Sequence, residues 1–549
     1  MEEKDAVKTN EKEIVTEEIK KTTKEVVVEK KKNKSWILIV ILFVIIALLA
    51  GAIIAVATFK FPSDKPVGET PGVLVAENYL DYKIIDNSIG DFDIRFLQTD
   101  IDEENKVYSP LSIKYALSML NEGAAGETKK QIETILGDYK PKAYTNSDNM
   151  SLANALFVRD SSKDKIKDTY IDTLSTKYNA SLIYDPFNNP DNINAWVSDK
   201  TFGLVDELLD EVGSGTDYVL VNALAIDMEW VKKIQPETGA YRVEYAHRDF
   251  SVWVDDLVNG GYPSLNFNNN NKDTKAVKFA AVANRYDIVT TLGEQNIYNT
   301  VSADYTNWLQ EDPCEMAATS PSVEEYMADY MSEINVGYGD ISSSTDFSFY
   351  VDDYVKVFSK DLKEYDGTTL QYVGIMPKQE NLDTYISKVK ASDINTLING
   401  LKPIELDSFK EGVITQVEGT IPLFEFEYEL DLMKNLKMLG VQDVFDDKKA
   451  DLSNLTKESS YISKAAHKAN IEFSNDGIKA GAAVAMGGAG AAGCWYDYLY
   501  EVPVEKIDLT FDKPYLFFVI DKDTREVWFT GTVYEPKESN ISEDYIEYE

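Results

Sequence analysis

One uncharged stretch of 24 residues, "WILIVILFVIIALLAGAIIAVATF" at 36–59, constrains this chain more than any other. At ~1.5 Å rise per residue, a helix of that length reaches ~36 Å and can cross a hydrocarbon core of ~30 Å. A helix that is apolar on every face has no stable place on the surface of a soluble domain. The sequence therefore predicts one transmembrane helix over 36–59. Lys30, Lys31, Lys32 and Lys34 precede it, whereas Lys60 and Lys65 after it are mixed with Asp64 and Glu69. That asymmetry predicts a single-pass protein of the cell membrane, with a cytoplasmic N-terminus and everything after the span extracellular. A cleaved leader is the alternative, which the small residues "AVA" at 55–57 keep open.

The span divides the rest. Residues 1–35 form a tail whose first 34 positions hold ten Lys and nine Asp or Glu, a composition for a disordered or loosely helical segment. Residues 60–82, with "FPSDKPVGETPG" at 61–72, suit a linker. Residues 83–536 carry the folded domain, and 537–549 form an acidic C-terminal tail. The net charge of −39 repels phosphate and excludes nucleic acid as a partner. With two cysteines and two histidines the chain has no disulfide framework, no CxxC redox pair and little for a zinc site, so no cofactor or metal is expected. Cys314 and Cys494 are compatible with one bridge or with two free thiols.

Within 83–536, helix and strand signals mix. "SPLSIKYALSMLNEGAAGETKKQIETILG" at 109–137 opens on Ser-Pro and places Ile113, Leu117 and Leu120 at helical spacing, with Gly123 as a stop and a second helix after it. "DYVLVNALAIDMEW" at 217–230 and "YVGIMPK" at 372–378 suit buried strands. "PYLFFVIDKDTREVWFTGTVYEP" at 514–536 suits a hairpin turning at Asp521–Arg525. The fold class expected is α+β.

These segments, with "LANALFV" at 152–158, "INAWVSDKTFGLVDELL" at 193–209, "FEFEYELDLMKNLKMLGVQDVFDDKKADLS" at 424–453 and "SKAAHKANIEFSNDGIKAGAA" at 463–483, resemble the serpin family, colinearly over roughly 450 residues. The resemblance implies a large central sheet, smaller sheets and about nine helices. It also implies a reactive loop that serine proteases cleave as a suicide substrate. The chain is longer than the family pattern between Trp230 and Tyr372, and the surplus is placed at about 296–345, as a helical excursion or, preferred, an inserted surface loop.

The stretch "SNDGIKAGAAVAMGGAGAAGCWYDYLYE" at 474–501 falls where the family has that loop. Its "GAGAAG" at 488–493 satisfies GxGxxG, but no helix signal follows, so a dinucleotide site is rejected. It shows period-two parity instead. Ile478, Ala480, Ala482, Val484 and Met486 alternate with Lys479, Gly481, Ala483, Ala485 and Gly487, as a strand burying one face requires.

The resemblance further implies a hinge through Asn475, Asp476, Gly477, Ile478, Ala480, Ala482 and Val484. It places the reactive bond at Ala491–Ala492, with Tyr496 or Tyr498 as rivals. Small residues there fit elastase-like or subtilisin-like enzymes. Asn475 and Ile478 depart from the family, which has an acid and a Thr or Ser at those positions. Ser109, Ser112, Asn222 and His467 match its polar cluster beneath the opening sheet, and Trp230 its top-of-sheet tryptophan. The aromatic run Trp495, Tyr496, Tyr498 and Tyr500 is compatible with a second contact for the target or with packing back on the domain. The alternative function is a non-inhibitory binding or scaffold module outside the cell. An enzyme is not expected, since no GxSxG or comparable nucleophile motif is present.

Overall fold

The strands Tyr515–Asp521 and Val527–Val533 are buried at every position, as the apolar run 515–520 and the apolar residues 527–529 and 533 suggest. The computed structural model describes residues 89–234, 264–270, 273–311, 320–333, 338–475, 496 and 503–536, with the backbone alone at 241–245, 250–254 and 477–478. The apolar run 36–59, the tail, the linker, both cysteines and the acidic C-terminus lie outside them. Among the described residues no helix is long and apolar enough to cross a membrane.

The two buried strands sit inside an antiparallel seven-stranded sheet. Its order is Lys106–Tyr108, Val527–Val533, Tyr515–Asp521, Thr368–Pro377, Val355–Tyr365, Ser348–Val351 and Lys402–Pro403. The Asp521 carboxylate accepts from the N–H groups of Asp523 (2.9 Å) and Thr524 (3.1 Å) and so shapes the hairpin turn. Gly531 has a different reason: a Cβ there would lie 1.8 Å from the Lys106 carbonyl oxygen of the neighbouring strand. A second sheet runs Asp340–Ser343, Asp273–Asn284, Ile414–Pro422 and Val504–Asp508, the last pair parallel.

The third sheet is split. One part holds β1 (Met150–Arg159), with β2 (Ser181–Asp185) parallel on one side and β3 (Tyr218–Ile226) antiparallel on the other. Two residues further on, β4 (Met228–Glu229) continues β3. The other part pairs β5 (Phe424–Asp431) with β6 (Ala466–Phe473), and β7 (Gly477–Ile478) follows. Among the described residues no ladder joins β3 to β6.

Helix α1 (Pro110–Gly123) underlies this sheet. It starts where Ser109 caps it, the Oγ accepting from Ser112 N–H at 3.0 Å, with proline as first residue. It stops at Gly123, where a Cβ would meet Leu455 Cβ at 2.7 Å. Helix α2 (Asp191–Lys200) covers the opposite face, its Ile193 and Val197 packing with Ala155 and Phe157 of β1 and Val221 of β3. The neighbours Leu156 and Val158 face the main core, so β1 is apolar on both sides.

The described residues hold eleven α-helices rather than about nine, and three of them belong to the surplus. That segment takes the helical alternative rather than the preferred surface loop. It opens at Ile288–Leu292 and continues as α3 (Glu294–Glu311) and α4 (Val323–Glu333). By 340–343 the chain is already a strand of the second sheet. Ser322 caps α4 reciprocally with Glu325, the S-x-x-E pattern of a capping box.

Gly531→Ala is expected to lower stability by ~3 kcal/mol, because carbonyl and Cβ cannot share that space without parting two buried strands. Denaturant unfolding of the variant beside the parent measures it.

Candidate functional site

Between β3 and β6 lies a seam. A cavity of about 80 Å³ opens there, lined by Leu224 and Ile226 from one side and Asn470 and Ile471 from the other, with Phe529 below. A second, of about 30 Å³, is lined by Ser109, Ser112, Asn222 and His467 among others. Strands that end in cavities rather than in each other leave backbone groups without a ladder.

Side chains cross the seam where the backbone does not. Ser109 N–H donates to His467 Nε2 of β6 at 3.0 Å. The Ser112 hydroxyl donates to Asn222 Oδ1 of β3. Asn222 Nδ2 then donates to Asn154 Oδ1 of β1 at 2.7 Å, and Asn154 Nδ2 to the Tyr178 carbonyl at 2.9 Å. The four polar residues singled out in the sequence thus meet through the first turn of α1. Asn154 was missed. The signal that finds it is register: Asn154 and Asn222 stand directly opposite in the β1–β3 ladder.

His467 is 9% exposed, and burial holds its imidazole down at about 4. It is therefore neutral at pH 7, with Nε2 available as an acceptor.

The upper end of the seam is held differently. Trp230 is fully buried and donates from Nε1 to the Ser474 carbonyl at 3.0 Å, just past the end of β6. Its ring meets Phe473 edge-on at 5.5 Å. Ile234 N–H donates to the Asn475 carbonyl at 2.8 Å. Beyond these anchors Gly477 pairs with Glu229 and Ile478 with Met228, antiparallel. A strand lying between β3 and β6 would make the same kind of pairing with β3. Ile478, bulkier than the family's residue, is compatible with this first pair. Asp476, Ala480, Ala482, Val484 and the Ala491–Ala492 bond lie outside the described residues, as does Tyr498. Tyr496 is described: it packs back on the domain, against Tyr305, Trp308 and Tyr326.

The family model described as "Serpin (serine protease inhibitor)" matches residues 88–244 and 342–536, more than half of the chain. This chain belongs to the serpin family. It is similar to glia-derived nexin of Mus musculus, 23% identical over 455 residues that cover 79% of this chain and 88% of the nexin. It is also similar to neuroserpin of Mus musculus, 23% identical over 465 residues covering 80% and 88%. Two solved structures share the fold. Native tengpin, a thermophilic serpin, has a TM-score of 0.53 at 21% identity and covers 86% of this chain and 96% of its own. Thyroxine-binding globulin in complex with thyroxine has a TM-score of 0.53 at 18% identity, covering 82% and 98%. The family match skips 245–341, the stretch that contains α3 and α4.

Acid is expected to weaken the seam. In the unfolded chain His467 titrates near 6.5, in the folded one at about 4. Between those values the unfolded chain binds more protons, so the contribution is complete above pH ~6.5 and is lost as pH falls toward 4, by ~3 kcal/mol at most. Melting temperature followed from pH 7 to 4 should fall more steeply for the parent than for His467→Gln, which cannot titrate there.

Proposed function

We propose that this protein is a suicide-substrate inhibitor of a serine protease, acting through cleavage of the loop after Ile478 and entry of that loop into the seam between β3 and β6. The observation that carries the reading is the antiparallel pairing of Gly477–Ile478 with Met228–Glu229 at the head of an unladdered seam. Cleavage at Ala491–Ala492 frees residues 478–491. Fourteen residues at ~3.3 Å each span ~46 Å, enough to carry an attached protease along the whole sheet. Each inserted residue gains ladder hydrogen bonds, and Ile478, Ala480, Ala482 and Val484 bury apolar area at ~25 cal/mol per Å². The protein itself supplies no catalytic group. The protease remains as an acyl-enzyme whose machinery is pulled out of register. Ser109, Ser112, Asn222 and His467 gate the parting of the strands, and Trp230 marks where entry begins. The small residues at the bond favour elastase-like or subtilisin-like targets.

Mixed with pancreatic elastase or subtilisin, the protein is expected to form a complex that survives boiling in detergent, with the cut mapped to 491–492 by mass spectrometry. Ala482→Glu, a charge on the face to be buried, is expected to abolish the complex while cleavage continues. Clean cleavage of the parent, with no complex, overturns inhibition.

A second reading, a non-inhibitory binding module, draws on thyroxine-binding globulin, which shares the fold and whose solved structure holds thyroxine. Under it, nicking the loop leaves the melting temperature unchanged. Under the inhibitory reading the same nick raises it sharply, because a strand is added to the sheet.

The run 36–59 anchors this activity in the cell membrane with the folded domain outside. Protease added to intact cells is expected to remove the domain and to leave the Lys-rich tail protected.

A further inference from the structure

The added helices hold a feature that the inhibitor reading does not use. α3 buries Ile297, Val301 and Tyr305, spaced four residues apart, and α4 buries Met327 and Tyr330. Together they close over Ala280, Val282 and Ile414 of the second sheet. Above that core they present an aromatic cage. Tyr305 stacks on Tyr326 at 4.1 Å and on Trp308 at 5.8 Å. Its hydroxyl donates to the Pro321 carbonyl at 2.9 Å, which ties α3 to the approach of α4.

Tyr496 fills the cage. Its ring lies 4.8 Å from Tyr305, 5.5 Å from Trp308 and 5.3 Å from Tyr326, the last edge-to-face. Its hydroxyl donates to Asp304 Oδ2 at 2.9 Å. Three ring contacts and a charge-assisted hydrogen bond converge on one loop side chain. Eight residues later the chain enters the second sheet beside Ile414–Pro422, as Val504–Asp508.

We propose that Tyr496 is a positioning residue, and that the cage of Tyr305, Trp308, Tyr326 and Asp304 is its receptor, built by the added helices to hold the carboxyl-side limb of the reactive loop. The consequence for the loop rests on the inhibitor reading. With the Gly477–Ile478 backbone paired to Met228–Glu229 and Tyr496 in the cage, residues 479–495 are the stretch between the two attachments. Tyr496 itself is withheld. Entry of the uncleaved loop into the seam has to draw the limb out of the cage and peel Val504–Asp508 from its neighbour. Entry after cleavage at 491–492 has to do neither, because the cage holds the part that is left behind. The cage therefore resists futile insertion without resisting the productive kind.

Chymotrypsin, which cuts after aromatic residues, tests this on the full chain with cleavage sites read by mass spectrometry. In the parent, cutting after Tyr496 is expected to be at least ~100-fold slower than in a free peptide of residues 488–504. Trp308→Ala leaves the loop sequence untouched and is expected to raise that rate ~10-fold or more, and Trp308→Phe to restore protection. Asp304→Asn, a surface change that leaves the packing in place, is expected to raise it severalfold and serves should Trp308→Ala fail to fold. Warmed without protease, Trp308→Ala is also expected to lose its cleavable loop, at unchanged mass, ~10-fold faster than the parent. Cutting after Tyr496 in the parent as fast as in the peptide overturns the proposal, as does protection indifferent to both cage variants. Absence of a protease complex with Tyr496 still protected overturns the inhibitor reading and leaves the cage standing.

Discussion

The seam between β3 and β6 is what the rest of this structure is arranged around. Two strands lie in neighbouring parts of one sheet layer without a ladder, over cavities lined by Leu224, Ile226, Asn470 and Ile471. The connection across it is carried by a few side-chain hydrogen bonds through the first turn of α1, from His467 by way of Ser109 and Ser112 to Asn222 and Asn154. Each such bond contributes only ~1 kcal/mol net, far less than a ladder. Strand entry as proposed above needs only these few bonds to part. The neutral state of His467 is what lets it accept from Ser109, since a charged imidazole there would be both desolvated and without its acceptor role.

The stretch between β6 and Val504–Asp508 is held differently at its two ends. At the amino side the chain leaves β6 through backbone anchors at Ser474 and Asn475 and already pairs at Gly477–Ile478 with the strand it would extend along. At the carboxyl side Tyr496 is held by α3 and α4, two helices that share a core with the second sheet and carry the aromatic cage. One end is held by backbone anchors and a two-residue ladder, the other by a cluster of rings. This asymmetry suits the proposed mechanism, in which the amino half of the loop travels after cleavage while its carboxyl half stays.

Much of the architecture was legible in the residues. Ser109-Pro110 and Gly123 bounded α1 because capping and close approach are local effects. The hairpin at Asp521–Arg525 showed as two largely apolar runs around an Asp turn, because strands covered on both faces need few polar positions. Ser109, Ser112, Asn222 and His467 were nominated by resemblance, and they do meet. Asn154 was not, because its partner is set by cross-strand register, which composition does not reveal. The residues of the surplus leave helix and surface loop both open: Ile297, Val301 and Tyr305 form a helical stripe, yet the sheet face that covers Ile297 and Val301 lies elsewhere in the chain.

The sequence by itself determined the local elements, the family, the alternating faces of the loop and the single apolar run near the amino end. All of these are encoded in side-chain periodicity or in motifs along the chain. Tertiary structure alone decided that β3 and β6 stand apart, and that one histidine serves two halves of a sheet through a serine backbone. It also decided that Tyr496 packs against helices nearly 200 positions earlier. Those outcomes depend on which surfaces meet after folding, and contacts between residues so far apart in sequence leave no periodic signal in either partner.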